Sequence, residues 1–317
     1  MVTLLLANLV HGPGTVEEVL SRPVDAEHRR FNAKDESGRG LDCLKVQPST
    51  DGGYLGVHHT LESGVFRLHL VESKDLLNWR FVAKIDDHAH QGTLFPVGRR
   101  WVLAWEKDGP DGNFINLAAY DSAADLRANR PAKSVSLPRQ FSPSAEGTPN
   151  IRRVIFDEDW SRSQVDLGFH FWRNSDVDRQ AFGWISGFEK MTYSGIDKIN
   201  DCLEATYQGN IGDRDEFEVG GRTYRVLEAQ YKKADWGSWR ILFGEPSGKL
   251  VELKIATPGR STSFANPAVT ALMLPTGKPG LFVSYFLPSQ GNAKGESGQL
   301  IYYRELKDSG RTSSTSN

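Results

Sequence analysis

Apolar, β-branched and aromatic residues in this chain fall in short alternating runs separated by clusters of Gly, Asp, Pro and Ser. Period-two runs bounded by turn residues predict strands, and sustained helical periodicity is nearly absent. Helical turns are expected only at 16–21 and Ala123–Arg127. From Leu41 to Ile85 four runs follow one another, LDCLKVQ, GYLGVHHTL, VFRLHLVES and WRFVAKI, as an antiparallel four-stranded meander. HQGTLFPV, RWVLAWE, FINLAAYDS and KSVSLP repeat that layout from His90 to Pro138.

A third unit opens at EGTPNIRRVIF. A fourth opens at DRDEFEVGG and a fifth at ANPAVTALML. With Asp42, Gln91, Glu146, Asp213 and Asn266 as equivalent starts, the units are spaced by 49, 55, 67 and 53 residues. That period, roughly 40–50 residues plus insertions, is the signature of propeller blades. The predicted fold is an all-β, five-bladed propeller over residues 1–308, with four-stranded antiparallel blades around a central channel. The run at 3–10 is expected to supply a strand that closes the ring and removes two sheet edges. First strands of blades line the channel and begin at one face, so their opening residues converge. Polar or ionisable residues stand at every one of these starts, where a strand would otherwise read apolar.

Composition narrows the classes. With 38% hydrophobic and 10% aromatic residues, 317 residues suffice for a sizeable core. A net charge of −2 gives no global basic surface for nucleic acid or an anionic membrane. Cys43 and Cys202 lack metal-ligand spacing and leave pairing open. The run TLLLANLV has no basic region before it and is too short to span a bilayer, so the chain reads as cytoplasmic or as a secreted protein without its signal. From residue 307 onward the Ser/Thr-rich sequence predicts a disordered tail. Nothing in the sequence sets an oligomeric state.

Three segments carry a resemblance. LDCLKVQPSTDGGYLGVHHT, ESKDLLNWRFVAKI and AEGTPNI resemble the first-blade opening, first-blade end and third-blade opening of the five-bladed propeller glycoside hydrolases, nearest in pattern to glycoside hydrolase family 43. The resemblance implies an oligo- or polysaccharide substrate of plant or algal type, Asp42 as general base and Glu146 as general acid. It also implies a calcium ion in the channel, common among the relatives, although the residues themselves require no cofactor. The second blade departs from the pattern: where the relatives place an acid-tuning Asp, this chain has HQGTLF, with Gln91 or Thr93 in that place.

A two-carboxylate mechanism needs a protonated acid and a second carboxylate about 6.5–9.5 Å away when the anomeric centre inverts. Asp213 and Asp215 are the anions available to raise the pKa of Glu146. His90, at a blade start, is a further acid/base candidate. His58 and His59 are neighbours on one strand and must face opposite sides, so one at most joins the site; His58 is assigned to substrate binding, with Gln91, Thr93, Arg214, Asp215 and Asn266. Trp105, Trp160, Trp172 and Trp236 are candidate stacking platforms. Insertions at 157–165 and 197–212 are expected to shape the pocket. Two other readings stay open: a propeller lyase eliminating across a uronic acid with His90, His58, Arg214 and Tyr207, and a sugar-binding propeller without catalysis.

Overall fold

The alternating runs become strands within a residue or two of where the turn residues bound them. In the computed structural model, which describes residues 13–244, 248 and 250–306, a helix α1 (Pro13–Ser21) and a short strand β1 (His28–Arg30) come first. Blade one is β2 (Asp42–Pro48), β3 (Tyr54–Glu62), β4 (Val65–Ser73) and β5 (Arg80–Asp87). Blade two is β6 (Ala89–Val97), β7 (Arg100–Lys107), β8 (Phe114–Tyr120) and, after helix α2 (Ala123–Arg127), β9 (Lys133–Leu137). Blade three is β10 (Glu146–Ile155), β11 (Gln164–Arg173), β12 (Val177–Ser186) and β13 (Lys190–Ile196). A short helix α3 (Ile199–Leu203), not anticipated, leads to blade four: β14 (Ile211–Val219), β15 (Arg222–Gln230), β16 (Trp239–Gly244) and β17 (Val251–Glu252). Blade five is β18 (Ala265–Met273), β19 (Pro279–Leu287) and β20 (Gly298–Glu305).

All five sheets are four-stranded and antiparallel, and the fifth takes β1 as its outer strand beside β20. His28–Arg30 therefore closes the ring. The expected closing run at 3–10 lies outside the described residues, as does the tail from 307. Helix α1 secures this closure from the side: Val16, Val19 and Leu20 pack among the core residues of blades four and five, and the Tyr302 hydroxyl donates to the carbonyls of Val19 at 3.0 Å and Leu20 at 2.9 Å.

Strand alternation then sorts each blade's two faces between its neighbours. On β7, Val102 and Ala104 pack toward blade three, while Trp101, Leu103 and Trp105 pack toward blade one. Each such buried large side chain contributes roughly 1.5–3 kcal/mol through apolar burial. Cys43 is buried, Cys202 is exposed and both are free thiols. No helix among the described residues is long and apolar enough to cross a membrane.

Inner strands begin together at one face, which also carries the longer connections 31–41, 138–145, 197–210 and 253–264 between blades. The opposite face carries the first hairpin of each blade. The insertion at 157–165 belongs there, between β10 and β11, so it does not shape the opening face as expected; the 197–212 insertion does lie on it.

Candidate functional site

Every inner strand breaks register just after it starts, between Asp42 and Lys45, His90 and Thr93, Gly147 and Asn150, Ile211 and Arg214, and Ala265 and Ala268. An extra residue in one strand forms a β-bulge, which bends the chain and re-aims side chains. In four of the five bulges the residue after the break is left-handed and is not glycine: Cys43 at φ 56°, Gln91 at 52°, Thr148 at 46° and Asn266 at 46°. A β-branched residue such as Thr148 in that region is a strong outlier. Backbone strain of this kind concentrates at functional sites, and here it forms a ring.

Asp42 stands at the first of these turns. Its carboxylate is half-buried, accepts no hydrogen bond from the described residues, and is pushed up to about 6 by burial. Glu146 is treated differently. It is buried, and its Oε1 accepts the backbone N–H groups of Gln140 at 2.6 Å, Ser142 at 3.2 Å and Phe141. Burial raises its pKa, and those three donors oppose the rise without cancelling it. The carboxylate thereby anchors the 138–145 connection through one oxygen.

His90 lies at the second opening, with Nε2 at 2.9 Å from Asp108 Oδ1 and 3.7 Å from Glu106 Oε1. Burial works against its imidazolium, but Glu106 and Asp108 outweigh it and the net shift is upward. His59, opposite Asp42 in the β2–β3 register, packs edge-on against His90. Its Nδ1 accepts the Gln91 N–H at 3.2 Å. An N–H can only donate, so the proton of neutral His59 resides on Nε2. His58 turns to the other side, as strand alternation requires, and burial beside His69 lowers its pKa to about 3.

Below the turns the channel is crossed. Lys45 of blade one reaches Asp213 of the non-adjacent blade four, Nζ to Oδ1 at 3.0 Å, and also donates to the Arg214 carbonyl at 3.4 Å. Burial disfavours that ammonium, but Asp213 and Asp215 hold it charged. Asp215 accepts from Asn150 Nδ2 at 2.8 Å and from the Val269 N–H at 3.0 Å, and burial pushes it up to about 6. Thr93 is buried beside Gln91, whose Oε1 has no partner, and Asn266 sits in its own left-handed turn.

Sequence reasoning missed the group at the centre. Burial disfavours the His170 imidazolium, yet Asp178, Glu106, Glu228 and Asp213 together raise its pKa. Glu228 is pushed up to about 8, by burial and then by Asp213. Buried and without a partner in this region are His170 Nδ1, Asp213 Oδ2, Asn150 Oδ1 and Gln180 Oε1. Buried polar atoms are nearly always satisfied by protein or water, so these are the positions open to water or a ligand. A signal existed: WVLAWEK, LGFHFW and RVLEAQ each carry a polar residue near the end of an otherwise apolar second strand.

Other expected site residues go elsewhere. Arg214 is fully buried, with Nη1 on Asp197 Oδ2 at 3.0 Å and Nη2 on the Ala181 carbonyl at 2.8 Å. Trp105 donates its indole to Asp86 at 3.0 Å and lines a lateral cleft of about 410 Å³ between blades one and two. Trp160 is buried near the far face on Asp121. Trp172 and Trp236, 36% and 51% exposed, stand on hairpins of the opening face. Among the described residues no group of three or more His, Cys, Asp or Glu is placed to hold a metal ion. The unpartnered oxygens there, Asp213 Oδ2, Asn150 Oδ1 and Gln180 Oε1, are of the kind calcium takes, with the Lys45 ammonium on the other oxygen of Asp213.

No family model and no curated protein matches this sequence. Solved structures do match. A thermostable family-43 glycoside hydrolase shares 12% identity over 90% of this chain and 91% of its own, with a TM-score of 0.54. A second glycoside hydrolase shares 12% over 95% and 100%, with a TM-score of 0.58. The α-L-arabinofuranosidase of Fusarium graminearum, solved with an iminosugar inhibitor, shares 12% over 89% and 98%, with a TM-score of 0.54. What is shared at that identity is the five-bladed fold.

Proposed function

We propose, from the five-bladed frame shared with solved glycoside hydrolases, that this protein hydrolyses a glycosidic bond in a neutral plant or algal oligosaccharide. Asp42 carries the reading. A carboxylate at the first opening turn, half-buried and without a hydrogen-bonding partner among the described residues, is what a general base needs: it is ionised above about 6 and its lone pairs are open to a water. Glu146, on the non-adjacent third blade, supplies the proton to the leaving oxygen. Its Oε1 is fixed by three N–H donors, which leaves Oε2 for the proton, and burial supports the protonated form. Separation by a full blade supports a water between the two groups, and with it inversion.

His90 is a second reading for the acid. Its side chain is 15% exposed, and Asp108 and Glu106 favour its protonated form, whereas Glu146 is only 2% exposed. The Lys45–Asp213 pair across the channel favours a pocket closed at its base and so a terminal sugar. A neutral one is favoured because Glu106, Asp178, Asp213 and Asp215 outnumber the cations Lys45 and His170, and burying another anion among them is costly.

The same placements argue against elimination on a uronate. Arg214, the group that would neutralise the substrate carboxylate, is enclosed by Asp197 and Ala181. Tyr207 donates its hydroxyl to Glu252 at 2.9 Å, and burial with that carboxylate raises its pKa, so it stays protonated and cannot take the substrate's proton.

The test is mass spectrometry of products from wild type, Glu146→Gln and His90→Gln on neutral and uronic-acid oligosaccharides. Hydrolysis yields products with one added water. A rate loss of about 10²–10⁴-fold with substrate affinity kept identifies the acid: in Glu146→Gln it supports the first reading, in His90→Gln the second. An unsaturated uronide overturns hydrolysis, and no turnover by wild type across the panel leaves a sugar-binding propeller.

A further inference from the structure

Each opening turn is held by one side chain from the blade before it. The N–H of left-handed Cys43 in blade one is taken by Gln299 Oε1 of blade five at 2.8 Å. That of Gln91 in blade two goes to His59 Nδ1 of blade one at 3.2 Å. Thr148 in blade three donates to Glu106 Oε2 of blade two at 2.8 Å, and Asn266 in blade five to Glu228 Oε2 of blade four at 2.5 Å. In blade four, whose turn has Gly212 and no left-handed residue, the polarity reverses. There Gln180 of blade three donates Nε2 to the carbonyls of Ile211, at 3.1 Å, and Gly212.

Chance contacts would not recur at the same turn in five blades whose sequences differ there. The clamps also explain why non-glycine residues hold positive φ. A bulge leaves a backbone N–H outside the sheet ladder, a buried N–H must find an acceptor, and a single acceptor fixed on the neighbouring blade holds that N–H in one direction. Gly147 makes room for the incoming side chain: a Cβ there would lie 1.9 Å from Glu106 Oε2. Gly212 makes room for Glu228 of its own blade: a Cβ there would lie 2.3 Å from Glu228 Oε1, which takes the Asp213 N–H at 2.9 Å.

We propose that Gln299, His59, Glu106, Gln180 and Glu228 are positioning residues: each sets the backbone of the next blade's opening turn and so aims the site residue that the turn carries. The role in turnover rests on the hydrolase reading; the role in setting the turns does not. Gln299 offers the cleanest case, because among the described residues its side chain hydrogen-bonds only the Cys43 N–H and, through Nε2, the Ser284 hydroxyl, and the turn that it holds carries Asp42.

The experiment compares wild type, Gln299→Met and Gln299→Glu. Amide hydrogen exchange at Cys43 and NMR titration of the Asp42 carboxyl are measured without substrate, and kcat and KM on whichever oligosaccharide the wild type turns over. Met keeps the shape and removes the acceptor; Glu keeps the acceptor. The expected result for Met is a rise of at least tenfold in Cys43 exchange, a shift in the Asp42 titration, and a kcat loss of tenfold or more with KM within threefold. Glu is expected to restore most of the Cys43 protection, while its carboxylate, placed beside Asp42, itself raises that titration. Unchanged Cys43 exchange and Asp42 titration in a folded Gln299→Met protein overturn the proposal, as does failure of Glu to restore Cys43 protection. If wild type turns over nothing, the hydrolase reading falls while exchange and titration still decide whether the clamp sets the turn.

Discussion

Replacing Lys45 by Met tests the ion pair that crosses the channel. Lys45 Nζ and Asp213 Oδ1 are 3.0 Å apart and both side chains are almost wholly buried, so the change leaves Asp213 in a low-dielectric interior without its hydrogen-bonded counter-ion, with His170 the remaining nearby cation. Removing one partner of a buried pair costs about 3–5 kcal/mol. Asp213 has an escape, because it can take up a proton. In the variant its native pKa rises further above the unfolded carboxylate value, so the native state binds more protons than the unfolded state across the window between the two. Stability is then retained below the unfolded value and lost as pH rises toward the native one, by at most about 1.4 kcal/mol per pH unit. Urea unfolding of Lys45→Met should therefore show a small loss near about pH 5 and the full loss near about pH 8. Adding Asp213→Asn removes the unpaired charge, and the double variant should recover to within about 1–2 kcal/mol of wild type at both pH values. A single variant that loses less than about 1 kcal/mol at both pH values, or a double variant no better than the single, would refute a desolvated cross-channel pair.

Two further outcomes are expected. If Asp42 is the base, kcat/KM should fall tenfold per pH unit below about 6, the value to which burial pushes its carboxyl; a limb near pH 4 in the pH–rate profile would assign the base elsewhere. Trp172→Ala and Trp236→Ala should each raise KM for longer oligosaccharides about fivefold and leave kcat unchanged, since an exposed ring contributes about 1 kcal/mol of stacking. Unchanged KM in both would remove the opening-face tryptophans from substrate binding.

Much of the fold was legible. The run GYLGVHHTL became Tyr54–Glu62, and VFRLHLVES became Val65–Ser73, because alternation and turn residues are local and a blade is made of local hairpins. Asp42 and Glu146 do open inner strands for the same reason. Blade three was read less completely beyond its first strand. Its outer strand β13 is largely exposed and lacks the apolar alternation that burial imposes. The polar cluster around the channel was only partly legible. Glu106, His170 and Glu228 lie inside runs that read as buried apolar strands, and only the bulge opposite each run makes sense of a charge there. A bulge changes which residues pair without leaving a mark in composition. Arg214 failed in the opposite sense: it stands between two acids at a blade start, yet its side chain leaves the channel for Asp197, 3.0 Å away on the preceding connection, a partner no local pattern points to.

The ring of bulges locates the site by a route that needs no other protein. A non-glycine residue in the left-handed region costs about 1–2 kcal/mol, and four such residues stand at equivalent places. The ten other non-glycine residues with left-handed backbone among the described residues, such as Ser63, Leu76 and Phe188, lie in turns and loops outside the strands. At the inner-strand openings local preference is overridden, and each opening is secured by a polar side chain buried between blades. Hydrogen bonds to buried backbone groups contribute about 0.5–1.5 kcal/mol net, more when the acceptor is charged as at Glu106. The clamps therefore offset the strain of the turns without turning it into surplus stability. That all five openings carry a clamp around the same channel is best explained by a requirement on where the turns point, and the side chains they aim are those of Asp42, His90, Glu146, Asp213 and Asn266.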